Sequence, residues 1–328
     1  PRTGQDVGDD TTVDADMRLH VRRLPPLQPG RNRALRWAPQ VFGSTASCSR
    51  FGLSLLAVAV ITATMPAPAP AHLPVSSITL DAATFAVVHQ HNAHIARQPA
   101  SLTKLMTAYA AYGCVEENGG TWDQAVTIAA EDVHAVADDE TRMGLVPGET
   151  VTLARLLEGL MIVSGNDAAL AIARHLDGSQ PAFLGRMNWH ARQLGLRSTR
   201  FASVSGITTP HHASSARDMA VLAACLLNDH PQILAITAQR TFAHGRFSRS
   251  NQNALLGEDG VDGLKTGYTQ AAGFCLAATA CRAVPGRNLP VRLITVVLGA
   301  ESRDARDALV RERLAAGFAA LDDTTADA

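Results

Sequence analysis

The chain has 328 residues, 46% of them hydrophobic, and a formal net charge of −1. That is long and apolar enough to bury a sizeable core in one large domain or two small ones. The near-neutral balance, with no basic stripe carrying interleaved aromatics beyond the N-terminus, excludes nucleic acid as an expected partner.

Residues 1–50 are rich in Pro, Arg, Gly and Asp, lack apolar periodicity, and read as an unstructured extension. An apolar run at 51–63 follows Arg50 and a wider basic stretch, and gives way to Pro66, Pro68, Pro70 and Ala71. Basic, then apolar, then small is the order of a secretory signal, and the run is shorter than the roughly 20 apolar residues a spanning helix needs. The reading therefore makes 51–71 a signal region cleaved after Ala71, with an uncleaved N-terminal anchor as the alternative. The length ahead of the apolar run suggests an upstream mis-start, with Met17 as the other beginning. Residues 72–328 are expected to form the exported catalytic domain.

Within that domain, β-prone runs at 76–84 and 85–90 predict a hairpin. Pro99 and Ala100 lead into a predicted helix over 101–113, where Leu102, Leu105, Met106 and Tyr109 recur at helical spacing. Three helical patterns fill 151–195, the third opened by Pro181 and closed by Gly195, and a fourth covers about 214–227. Ser164-Gly165-Asn166 falls at the break between the first two. Strands are predicted near 263–269, 273–280 and 291–298, then a last amphipathic helix from Ser302 to Phe318. Strands at both ends of a helical middle predict an α+β domain with an inserted helical lobe. Cys114, Cys225, Cys275 and Cys281 show no metal-ligand spacing, so no metal is expected and buried free thiols are the default, with one disulfide open as the alternative. Cys48 would leave with the signal.

Of 29 basic residues only two are lysines, Lys104 and Lys265. Arginine serves wherever charge suffices, but only a desolvated lysine can shed its proton and act as a base. Lys104 stands three residues after Ser101, on the same helical face, where a serine nucleophile and its base would meet. The helix start adds free backbone N–H groups where an oxyanion would develop. Ser164 offers a hydroxyl for proton relay, and Asn166 an amide that both donates and accepts. On a predicted strand, Lys265-Thr266-Gly267-Tyr268 sets a cation and a hydroxyl beside a glycine that lets a substrate backbone approach. Singly, each motif is weak. Together, in this order, they match the three motifs of penicillin-recognising serine enzymes.

With these motifs go three longer runs: residues 97–109 from Arg97 to Tyr109, Ser164-Gly165-Asn166-Asp167-Ala168-Ala169, and His212-Ala213-Ser214-Ser215-Ala216-Arg217-Asp218. On these, residues 76–318 resemble the serine-type D-alanyl-D-alanine carboxypeptidases, the low-molecular-mass penicillin-binding proteins. The resemblance implies a serine β-lactamase/transpeptidase-like fold, a five-stranded antiparallel sheet with flanking helices and a helical lobe. It also implies that Ser101 attacks the penultimate D-alanine carbonyl, Lys104 takes its proton, and Ser164 protonates the leaving D-alanine. Asn166 would hold the substrate peptide group, Lys265 and Thr266 its carboxylate, and the backbone N–H groups of Ser101 and Tyr268 the oxyanion. The implied partners are peptidoglycan stem peptides ending in D-Ala-D-Ala and β-lactams as covalent inhibitors, in the periplasm or cell envelope, with peripheral inner-membrane association allowed. No cofactor is expected.

Several positions depart from the family pattern. Tyr268 stands where many relatives carry histidine, and Gln252 where an arginine is frequent, which makes Arg306 a candidate for the substrate carboxylate against the alternative of a helix-surface charge. Ser203 and Ser205 replace the usual asparagines. The chain ends soon after the last helix, so a C-terminal β-rich domain and amphipathic membrane helix are not expected. Three rival functions share the fold. A class A β-lactamase would supply a deacylating glutamate between the second and third motifs, and none occurs between Glu158 and Glu258. A DD-endopeptidase more often carries glutamate at the position of Gly165. A penicillin-sensing receptor would be joined to membrane-spanning helices.

Overall fold

The computed structural model describes residues 73–326. The expected signal region at 51–71, Cys48 and the expected extension at 1–50 lie outside them. In chain order the elements are β1 (Ser76–Asp81), β2 (Val87–His91), α1 (Lys104–Glu117), β3 (Ala125–Thr127), α2 (Ala130–His134), β4 (Thr150–Thr152), α3 (Leu153–Ile162), α4 (Asn166–Asp177), α5 (Gln180–Gln193), α6 (Ala216–Asp229), α7 (Leu234–Thr237), β5 (Thr241–His244), β6 (Phe247–Ser250), β7 (Val261–Thr269), β8 (Gly273–Arg282), β9 (Val291–Ala300) and α8 (Arg303–Ala326).

Five strands form one sheet in the order β2-β1-β9-β8-β7, every neighbouring pair antiparallel. Its faces can be read from β9. Leu293 and Val297 pack with Val310, Leu314 and Phe318 of α8, whereas Ile294, Val296 and Leu298 join the core shared with α1 and α6. Successive strand side chains point to opposite faces, so covering both faces demands the continuous apolar run that β9 carries. Among the described residues, β7 is an edge strand of this sheet, and its free edge borders the helical lobe.

The lobe is cut into helices by local chemistry. Thr152 caps α3 by accepting from the Arg155 N–H, Ser179 caps α5 ahead of Pro181, and Ser215 caps α6 by accepting from the Asp218 N–H. Between α3 and α4 the chain turns at Ser164, whose φ is 64°. Two small two-stranded sheets, β3 with β4 and β5 with β6, escaped the sequence reading. The pair β5 and β6 has one buried side chain, Phe242, in an otherwise polar stretch, which leaves little alternation to detect. The last helix, α8, also runs further than the predicted end at Phe318.

Cys114, Cys225, Cys275 and Cys281 are free thiols, and Cys275 and Cys281 lie on the single strand β8. Among the described residues no single helix is long and apolar enough to cross a membrane.

Candidate active site

Ser101 sits in a single 3-10 turn, Ala100–Thr103, that runs directly into α1. Ala100 is held in the left-handed region at φ 49°, a conformation a non-glycine residue adopts only where its surroundings fix it. Two glycines supply those surroundings. At Gly206, with φ 89°, an added Cβ would fall 2.0 Å from the Ala100 carbonyl oxygen, and at Gly267 of β7 it would fall 3.0 Å from the Ser101 backbone nitrogen. The strand and the turn are thus in backbone contact, which brings the N–H of Ser101 beside the stretch ending in Tyr268.

Thr103 secures the turn from beneath. Its hydroxyl donates to the Ala100 carbonyl at 2.8 Å and lies 2.8 Å from His212 Nε2. His212 Nδ1 accepts the Ala202 N–H at 3.0 Å, so in the neutral ring Nε2 carries the hydrogen and donates to Thr103. Burial pushes His212 down to about 4, which keeps it neutral.

The Lys104 side chain is fully buried. Its Nζ lies 2.7 Å from Asn166 Oδ1, 2.6 Å from the Ser205 carbonyl oxygen and 3.0 Å from Ser101 Oγ. The two closer partners can only accept. A neutral amine has two N–H groups and one lone pair, so those acceptors take both hydrogens and the lone pair is left facing the one partner with a proton to give, Ser101. Burial holds Lys104 well below the usual lysine value, and the charge of Lys265 lowers it further, while the carboxylates of Glu140 and Asp167 pull the other way. The site therefore favours the neutral amine. Ser205 takes part through its carbonyl, which explains why serine can replace an asparagine there.

Ser164 Oγ is buried and has no hydrogen-bond partner among the described residues. Asn166 opens α4, next to Asp167, whose buried carboxylate accepts the backbone N–H groups of Met143, Gly144 and Leu145 at 2.9–3.2 Å. The same loop is tied in by the Asn166 N–H, donating to the Thr141 carbonyl at 2.8 Å, and by the Thr141 hydroxyl, donating to the Ser164 carbonyl at 2.8 Å. These ties deliver Glu140 to the site, where Asn166 Nδ2 donates to its Oε2 at 2.5 Å. No sequence motif pointed to Glu140. The bonds that place it are mostly backbone N–H groups on one carboxylate, and backbone donors leave no mark in a sequence.

Across the cleft, Lys265 and Thr266 are buried on β7 and Tyr268 is 56% exposed, its ring 4.4 Å from that of Phe274. Lys265 Nζ donates to the Thr266 carbonyl at 2.8 Å. Burial, and then the charge of Arg306, bring Lys265 down to about 7. Arg306 is itself only 3% exposed and donates from Nε to Asp307 at 2.8 Å. It is not a helix-surface charge. The structure thus brings together Ser101, Lys104 and Asn166 by hydrogen bonds and sets Gly267 of β7 against the Ser101 nitrogen, with Ser164 two residues before Asn166, Lys265, Thr266 and Tyr268 flanking Gly267, and the charge of Arg306 acting on Lys265. Among the described residues no group of three or more His, Cys, Asp or Glu could hold a metal ion.

Residues 63–302 match the peptidase S11 family, D-alanyl-D-alanine carboxypeptidase, and the chain belongs to it. It is 38% identical to D-alanyl-D-alanine carboxypeptidase DacC of Escherichia coli over 231 residues, 69% of this chain and 56% of that protein. The chain thus spans little more than half the length of that curated relative. Among solved structures, penicillin binding protein 5 from Haemophilus influenzae is 34% identical with a TM-score of 0.70, covering 74% of this chain and 70% of that one. Penicillin-Binding Protein D2 from Listeria monocytogenes in its cefotaxime-bound form is 29% identical with a TM-score of 0.64, covering 74% of this chain and 96% of that one. The five-stranded antiparallel sheet and its helices are the transpeptidase fold of these proteins, as the sequence resemblance implied.

Proposed function

We propose that the chain is a serine DD-carboxypeptidase that removes the terminal D-alanine from peptidoglycan stem peptides through an acyl-enzyme on Ser101. The observation that carries this reading is the buried Lys104 Nζ, 2.7 Å from Asn166 Oδ1, 2.6 Å from the Ser205 carbonyl oxygen and 3.0 Å from Ser101 Oγ, an arrangement that in the neutral amine leaves the lone pair for Ser101.

Substrate would lie along the free edge of β7, its terminal carboxylate on Lys265 and Thr266 and the peptide group on its N-terminal side against Asn166. Arrival of the carboxylate beside Lys265 favours the protonated amine, so an ammonium poised near neutrality becomes a full cation as substrate binds. Arg306 adds to the positive field that draws the carboxylate in. Ser101 Oγ then attacks the carbonyl carbon while its proton passes to Lys104 Nζ, and the developing oxyanion receives the N–H groups of Ser101 and Tyr268. Collapse breaks the C–N bond. The leaving D-alanine nitrogen takes a proton through Ser164, whose unpartnered hydroxyl is free for this relay. Water attacks the ester, its proton going to Lys104 or Ser164, and Ser101 is restored.

Export to the periplasm or cell envelope belongs to the same proposal and is supported by the signal-like order at 51–71. The test is to incubate the purified chain with a D-Ala-D-Ala-terminated muropeptide and a cross-linked dimer and follow which bond is lost. Loss of D-alanine from the first supports the proposal, and cleavage of the dimer alone would replace it by endopeptidase action. Penicillin should add one penicilloyl group that persists for minutes or longer while D-alanine release stops. Rapid return to the unmodified mass with continued penicillin consumption would favour a β-lactamase, and Glu140 would then be the first carboxylate to replace.

A further inference from the structure

The Asn166 amide is the link between two groups of opposite character. Its Oδ1 receives Lys104 Nζ at 2.7 Å and its Nδ2 donates to Glu140 Oε2 at 2.5 Å. Rotated by half a turn, the amide would set an N–H against the lysine N–H and a carbonyl oxygen against a carboxylate, two repulsive contacts in place of two bonds. An amide has two N–H groups, so the second hydrogen on Nδ2 remains for a substrate carbonyl. The loop carrying Glu140 is itself anchored to the Asp167 carboxylate by three consecutive backbone N–H groups.

From this geometry we propose that Glu140 is a positioning residue of the acyl-transfer site, a carboxylate that locks Asn166 with its oxygen toward Lys104 and places a negative charge one side chain away from that base. The inference rests on the acyl-transfer reading of the same cleft. Lys104 is faced by Ser101 from the 3-10 turn, by Asn166 and Asp167 from α4, by Lys265 from β7, and by Glu140 from the loop. Asp138, on the same loop, is engaged with Arg142 instead. Glu140 and Asp167 are thus the two charges that oppose Lys265 in deciding when Lys104 is neutral. Glu140 also favours the proton's arrival on Lys104, since it stabilises the ammonium that forms as Ser101 is acylated.

Because the chain has only two lysines, the base can be watched directly. Protein labelled with 13C at the lysine ε-carbons should give two resonances, assigned through Lys265→Arg, whose pH titrations are read with no substrate present. Glu140→Gln keeps an acceptor for Asn166 but removes the charge, so the Lys104 midpoint should fall by about one pH unit. The acid limb of penicillin acylation, where protonated Lys104 stops acting as base, should move to lower pH by the same amount. Glu140→Ala removes the acceptor too and should lower the acylation plateau severalfold below that of Glu140→Gln. Asp139→Asn, an exposed neighbour, should move neither. Superimposable titrations for Glu140→Gln and the parent, or an equal shift in Asp139→Asn, would overturn the proposal. A parent protein that titrates as described but never acylates would leave the charge network standing and remove the acyl-transfer reading instead.

Discussion

On the helical wall of the cleft, Ser101, Lys104, Asn166 and Glu140 form an unbroken run of side-chain hydrogen bonds. On the opposite wall, β7 presents a lysine that donates to a backbone carbonyl, then a glycine and an exposed tyrosine. On the proposed function the first wall moves a proton: each member is hydrogen-bonded to the next, and the amine at its centre is fully buried. On the same proposal the second receives a ligand, with Lys265 brought down to about 7 and the edge of β7 unpaired within its sheet. The division of labour between them is energetic, since damage to the proton path should lower the rate of acylation and damage to the strand should weaken binding.

The most severe test of that division is Ser101→Ala, which should abolish penicillin labelling and cost on the order of 10⁶ in turnover with the fold intact. Labelling that survives would mean another serine is the nucleophile. Next comes Lys104→Arg, which keeps a positive charge but can no longer deprotonate. A loss of about 10²–10⁴ in acylation rate, matching Lys104→Ala, is expected. Near-normal acylation by the arginine variant would make Lys104 a structural cation and erase the contrast between the walls.

On the strand side, Lys265→Gln should raise KM and cut kcat/KM for carboxylate-ended peptide by about 10–100-fold, the value of a charge-assisted hydrogen bond, with a smaller change in kcat. The parent should lose kcat/KM as pH rises through about 7, where free Lys265 gives up its proton, and the variant should lack that limb. An unchanged basic limb in Lys265→Gln would assign it elsewhere.

A further test leaves turnover aside and concerns stability, setting the walls against His190 on α5. Burial depresses His190 and His212 from an ordinary 6.5 to about 4. The unfolded chain takes up these protons first, so their contribution is complete above about pH 6.5 and is lost as pH falls towards 4, by up to about 3 kcal/mol each. Neither ring nitrogen of His190 has a hydrogen-bond partner among the described residues. Its ring lies edge-on to Tyr109 and Trp189, with centroids at 5.2 and 4.8 Å. In urea unfolding followed against pH, His190→Leu should flatten the acid slope without lowering stability at pH 7. An unchanged slope would show that His190 does not carry it.

What could be read in advance follows the same physical lines. Ser101, Lys104 and the elements that carry them were legible because apolar spacing, Pro99 and a three-residue interval are all local. The strand motif and the buried run of β9 were legible for the same reason. Glu140 was not, because it reaches Asn166 only through a loop fastened by backbone donors. The carbonyl of Ser205 was equally silent, since every residue has one. Arg306 stood in the sequence as a choice between carboxylate ligand and surface charge, and only its burial on α8 removed the second option.

Arginine everywhere else leaves the protein with no exposed lysine side chain, for Lys104 and Lys265 are 0% and 2% accessible. To an amine-selective acylating reagent, the folded chain then offers little beyond its terminal α-amino group. Modification at either lysine would have to reach a side chain that is buried in this structure, so the extent of such labelling, followed by peptide mass after arginine-specific digestion, becomes a gauge of how often these two amines are exposed.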